Sequence, residues 1–137
     1  MIPSHTPLAV ADLIKDVIKD KVVCDVGCGG GEFMEALSKY AKNVFGLEES
    51  EECCEVASNR GFDVYHSNVF FNELPKADVY YLWTKDQMGV YLKAKHEKTK
   101  GIFILGHSVR PSTVKFMQGL KAEQRSVGDF TIYITKL

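Results

Sequence analysis

Apolar residues along the chain fall into two alternating rhythms, one of helical spacing and one of short unbroken runs. Leu8, Ala11, Ile14, Val17 and Ile18 recur at helical spacing, with Asp12, Lys15, Asp16 and Lys19 on the other side, which predicts a helix with one buried face. Thr6-Pro7 supplies its start: a threonine hydroxyl can accept from the first free N–H groups, and proline loses no hydrogen bond at the first helical position. Residues 21–26 then read as a strand, because a short β-branched run followed directly by glycines suits a buried parallel strand.

The alternation continues to the end of the chain. Phe33, Met34, Leu37, Tyr40 and Ala41 mark a second helical face, and residues 44–48 a second strand. Ser50 caps the next helix, with Glu51 and Glu52 in its first turn and Asn59-Arg60-Gly61 at its end. Residues 62–66, 79–83 and 102–105 read as further strands, separated by a helix over 86–98; Pro111-Ser112 opens a last helix. Residues 123–127 and 130–134 flank Gly128-Asp129 and predict a hairpin. Strands alternating with helices and closed by a hairpin predict an α/β fold: a doubly wound, mostly parallel seven-stranded sheet with a C-terminal antiparallel hairpin.

Length and composition narrow the class. A chain of 137 residues, 45% hydrophobic and 26% charged, is expected to form one soluble domain over residues 1–137. No apolar run reaches the length of a membrane span, and the first residues lack the basic and apolar regions of a signal peptide, so a cytoplasmic protein is expected. Cys24, Cys28, Cys53 and Cys54 show neither zinc-type pairs nor a disulfide framework and are read as free thiols, with no metal site. The net charge of −1 conceals an asymmetry: residues 1–84 hold 7 Lys and Arg against 14 Asp and Glu, residues 85–137 hold 10 against 4. One reading is a positive rim of Lys85, Lys93, Lys95, Lys98, Lys100 and Arg110 that would draw an acidic partner such as RNA; the other is a solvated or self-complementary surface.

The candidate chemistry lies in Asp25-Val26-Gly27-Cys28-Gly29-Gly30-Gly31-Glu32, between the first strand and the second helix. Glycines there let the backbone pass close to a ligand, and the helix beyond presents free N–H groups. Counting G-x-G-x-x-G from Gly27 puts Glu32 at the last position, which departs from a dinucleotide site. Counting from Asp25, the residues read D-x-G-x-G-x-G, and this resembles the first motif of the class I S-adenosylmethionine (SAM) methyltransferases. The order of features along nearly the whole chain is similar to that family.

The resemblance implies SAM as cofactor and assigns roles residue by residue. Asp25 would sit at or near the methionine end, and Gly27, Cys28, Gly29 and Gly31 would pass beneath the ribose and methionine part. Glu48 at the end of the second strand would accept both ribose hydroxyls, with Glu49 the alternative one residue away. Asn68 stands where relatives often carry an Asp for the adenine amino group. Val69 N–H would serve adenine N1, and Phe70 or Phe71 could face the ring. Trp83 and Thr84, with Lys85 and Asp86, would line the reaction mouth, and Tyr81 could add to it or belong to the core. His107 lies near the same edge as a structural or substrate-side residue.

Within the class, Thr6-Pro7, Leu82-Trp83-Thr84 and the terminal hairpin resemble the small archaeal and mitochondrial-type protein-lysine methyltransferases. Gly30-Gly31-Glu32 and Asn68 depart from that pattern. An Asn/Asp-Pro-Pro-aromatic tetrad is absent, which argues against an exocyclic base amine as target. The expected activity is methyl transfer to a macromolecule, a protein amine such as lysine ahead of RNA. The other expectation is a catalytically silent partner subunit of the same fold.

Overall fold

The protein was described from a computed structural model covering residues 6–69, 72–84 and 86–137. Its strands are β1 (Val22–Val26), β2 (Asn43–Glu48), β3 (Asp63–His66), β4 (Val79–Leu82), β5 (Ile102–Leu105), β6 (Glu123–Val127) and β7 (Phe130–Lys136). They form one sheet in the order β3-β2-β1-β4-β5-β7-β6. The first five are parallel to one another, while β7 runs antiparallel to both β5 and β6. The strand order reverses next to β1, and so the carboxyl ends of β1, β2 and β4 open a crevice there.

The helices are α1 (Ala9–Leu13), α2 (Lys15–Ile18), α3 (Glu32–Leu37), α4 (Glu51–Asn59), α5 (Gln87–His96) and α6 (Pro111–Gly119). Side chains alternate across the sheet and divide the core in two. On one face Val23, Tyr81, Ile104 and Ile132 pack with Val10, Ile14, Ile18, Met34 and Leu37 of the early helices. On the other, Cys24, Tyr80, Phe103, Leu105 and Tyr133 pack with Val90, Tyr91, Ala94 and Met117 of α5 and α6. Tyr80 stacks on Phe103 at 4.8 Å, and its hydroxyl donates to Pro75 O and accepts from Ala77 N–H. The two helical layers account for the near-continuous apolar character of the central strands.

The predicted elements all form, with differences at their ends. Ser50 caps α4 by accepting from Cys53 N–H, and Pro111 stands at the first position of α6. The first helix begins at Ala9, not at Pro7, and breaks at Ile14 into two short segments. Thr6 is not its cap: its buried hydroxyl instead donates to Tyr81 Oη at 3.3 Å. The next helix stops at Leu37, so Tyr40 and Ala41 pack against the core from the turn that follows it.

Candidate functional site

Two cavities meet at the carboxyl ends of β1, β2 and β4. One, of about 270 Å³, is lined by Thr6, Asp25, Cys28, Gly29, Glu32 and Phe33 among others; the second, of about 320 Å³, by Leu47, Glu48, Glu49, Asn68, Val69 and Thr84. Gly27 and Trp83 line both. The result is a cleft in two compartments, divided by the glycine that follows β1 and the tryptophan that follows β4.

The glycine loop is held to β2 by backbone hydrogen bonds. Gly27 N–H and Cys28 N–H both donate to Leu47 O, at 2.8 and 3.1 Å. Gly29 N–H donates to Glu48 Oε1 at 2.8 Å, and Ser50 N–H to Glu48 Oε2 at 2.7 Å. Glu48 therefore joins the loop to the start of α4. A carboxylate offers about four acceptor sites, so these two bonds leave about two unused.

Gly27 has φ +80, and a Cβ there would stand 2.9 Å from Thr84 Cγ2. Its glycine identity lets the ends of β1 and β4 close together. Gly29 has φ +56 and nothing within 4 Å of a would-be Cβ, so the chain there faces open space. Gly31, with φ +88, lies outside the cavity lining; a Cβ on it would meet Ala57 Cβ of α4 at 3.2 Å. Its place in the glycine pattern serves the start of α3 and its packing on α4, not the cleft wall.

Asp25 is 4% exposed and opens on the first compartment. Burial, followed by the nearby Glu48 charge, pushes its carboxyl up to about pKa 7. A cation in that compartment would relieve this. Burial and the same two carboxylates raise the Cys28 thiol, and burial raises Cys54, so both stay protonated. No Lys or Arg lines either compartment among the described residues.

Trp83 Nε1–H donates to His107 O at 2.9 Å, and its ring meets Phe130 edge-on at 5.4 Å. His107 stacks on Phe130, and its Nδ1 accepts from Thr131 N–H. His107 is thus a strut behind Trp83. Tyr81 is core and lines neither compartment: it is 1% exposed, packs on Phe33 at 4.8 Å, and has its phenol pushed up by burial. Asp86 caps α5 by accepting from Gly89 N–H. Lys85, Phe70 and Phe71 lie outside the described residues.

Thr84 Oγ1 and Gln87 Oε1 are buried oxygens without a hydrogen-bond partner among the described residues. Gln87 Nε2 donates to Gly106 O, which ties the end of β5 to the start of α5. Unpaired buried oxygens cost free energy, and of these two Thr84 Oγ1 belongs to a residue that lines the cleft.

Two lysines of the positive rim stand away from this mouth. Lys98 and Lys100 lie in the turn from α5 into β5, at the amino edge of the parallel strands, and Lys93 is ion-paired with Glu97. Helix α5 runs back along the sheet and carries its basic end away from the cleft.

Sequence reasoning missed three wall-builders. Thr6 lines the first compartment. A Cβ on Gly46, in β2, would fall 2.5 Å from Cys28 Sγ, and one on Gly106 would fall 2.7 Å from Trp83 Cδ1. For Gly46, a glycine inside an apolar strand run is the signal for such a close approach; Gly106 directly follows such a run.

This fold is similar to that of solved structures over nearly the whole chain. An RNA methyltransferase from Salinibacter ruber, in complex with S-adenosyl-L-homocysteine, superposes with a TM-score of 0.74 at 14% identity, covering 98% of this chain and 93% of that one. The protein has the class I methyltransferase fold. A ribosomal protein L11 methylase from Lactobacillus delbrueckii subsp. bulgaricus shares the methyltransferase fold, with a TM-score of 0.68 at 18% identity over 98% of this chain and 80% of that one.

Residues 24–82 match the family described as a methyltransferase domain, and this segment holds the glycine loop, Glu48, Asn68 and β4. A ubiquinone biosynthesis O-methyltransferase from Coxiella burnetii is 50% identical over 42 residues, which is 31% of this chain and 18% of the relative. The match to that relative thus spans less than a fifth of its length. Among the described residues, no three His, Cys, Asp or Glu side chains converge as a metal site, and no helix is long and apolar enough to cross a membrane.

Proposed function

We propose that the protein is a SAM-dependent methyltransferase acting on a macromolecule, with a protein amine such as lysine as the acceptor. The observation that carries this reading is the two-compartment cleft, with Asp25 in one half, Glu48 in the other, and Gly27 and Trp83 between them.

The residues present fit the cofactor. Asp25, buried and held near pKa 7, suits the α-ammonium group at the methionine end. Glu48 keeps acceptor capacity for the paired ribose hydroxyls. Asn68 and Val69 line the adenine end, with Glu49 beside them. Cys28 and Gly29 form the loop beneath, and Gly29 leaves the space that a side chain would fill. When bound, SAM supplies an activated methyl group on a positively charged sulfur.

The protein's task is then to align a nucleophile and exclude water. Trp83, braced by His107 and Phe130, and Thr84, whose hydroxyl has no partner among the described residues, are the substrate-side residues. Because Tyr81 is core, Trp83 carries the aromatic side of the mouth. A lysine acceptor, with an unperturbed pKa of about 10.4, must attack as the neutral amine, and an apolar wall disfavours its charged form.

Four carboxylates, Asp25, Glu32, Glu48 and Glu49, line the cleft without a Lys or Arg among the described residues. That field suits a cationic cofactor and an approaching amine, and repels a phosphate backbone. It favours protein over RNA as substrate.

Calorimetric titration with SAM tests the first step. Wild type should bind in the micromolar range, and Asp25→Ala and Glu48→Ala should each lose about 1.5 kcal/mol or more. Labelled SAM with separate protein and RNA fractions then tests the acceptor. Label in protein supports the reading, label in RNA replaces it with the second one, and binding without transfer leaves a silent subunit of the fold.

A further inference from the structure

Lysines from both halves of the chain gather at the sheet edge opposite the cleft. A cavity of about 560 Å³ lies there, and Lys21, Lys76, Lys100 and Lys136 line it. They come from four separate segments: the turns into β1, β4 and β5, and the last residue of β7, whose reversed direction brings its end to the amino edge. Gly101, at φ +146, permits this convergence, since a Cβ there would stand 3.1 Å from both Asp78 O and the Tyr80 ring.

None of the four ammonium groups has an ion-pair partner among the described residues. The only carboxylate in the lining among the described residues, Asp78, accepts from Val22 N–H through Oδ2. Four like charges around one concavity repel each other unless an anion joins them. The floor between them is apolar, made by Leu74, Ala77 and Ile102. Its volume is within the range of small-ligand sites.

We propose that this cavity is a binding site for a small ligand carrying adjacent phosphate groups, of the nucleoside diphosphate class. The lysines bind the phosphates, and the apolar floor takes the uncharged part. Lysines ringing one hollow, rather than spaced along a track, fit a compact polyanion better than a nucleic-acid strand. The site is separate from the cleft and shares no lining residue with it.

The test is calorimetry on the full chain at low salt with inorganic pyrophosphate, then with uridine diphosphate. Short single-stranded RNA is the competitor. Both small anions should bind with Kd below about 1 mM, and Lys76→Gln/Lys100→Gln should weaken both about tenfold or more. Both lysines are exposed, so this variant should keep its circular dichroism spectrum. Lys115→Gln, an exposed lysine of α6, should leave binding unchanged. No pyrophosphate binding, or binding indifferent to the double variant, overturns the proposal. So does lysine-dependent RNA binding that pyrophosphate fails to displace.

Discussion

The two edges of this sheet are built from the same parallel strands, yet they hold opposite charge and different kinds of space. At the carboxyl edge, glycines at positive φ bring main chain within reach of a ligand, and carboxylates line a cleft split by Trp83. At the amino edge, lysines from four segments surround an open hollow with an apolar floor. The near-neutral net charge is therefore a sum of two local fields, each able to select its own ligand. Charge counted along a chain becomes informative only after the topology has assigned each residue to an edge.

Substitutions sharpen this contrast. The largest effect is expected from Gly27→Ala, where positive φ and the 2.9 Å approach to Thr84 Cγ2 coincide. Strain and overpacking together should cost about 2–4 kcal/mol, visible as a lowered denaturation midpoint and lost SAM binding.

Asp25→Asn should separate function from stability. The folded pKa of about 7 lies above the unfolded value near 3.8, so the folded protein holds a proton that the unfolded chain has released. Stability before cofactor binding therefore falls as pH rises from about 4 through about 7. The Asn variant should melt higher than wild type at pH 8 while binding SAM about tenfold more weakly or worse. A variant that binds normally would remove Asp25 from the site.

Wild-type affinity should itself follow pH. A bound cation favours ionised Asp25, so binding expels its proton, and affinity should rise about tenfold between pH 6 and pH 8. Titrations in buffers of different ionisation enthalpy would count that proton. A flat profile would mean that Asp25 does not face the ammonium group.

Smaller effects follow away from the charge. Trp83→Phe keeps an aromatic wall but removes the bond to His107 O, and single-turnover methylation should slow about fivefold with SAM affinity little changed. At the other edge, Lys100→Gln should change SAM affinity less than about twofold, because solvent screens a charge at that distance. A larger change would mean that the two edges are coupled.

The sheet was legible because unbroken apolar runs and helical periodicity alternate with clear punctuation. Ser50, Pro111 and Gly128 each mark an element end where the structure has one. The cofactor-side residues were legible because a glycine pattern has few physical causes. What the sequence did not disclose depends on distance. Thr6 looks like a helix cap until Tyr81, 75 positions later, engages its hydroxyl. Tyr81 could be mouth or core, and its burial beside Phe33 decides for core. Lys98 and Lys100 follow the cleft in sequence but lie at the far end of α5, since a crossover helix reverses the direction of the chain.

The bracing of Trp83 has a practical consequence. It is the chain's single tryptophan, and it stands on the partition between the two compartments. The protein thus carries one intrinsic fluorophore at the point where the cleft is filled. Its emission, excited selectively at the red edge of protein absorption, reports occupancy of that partition without any label.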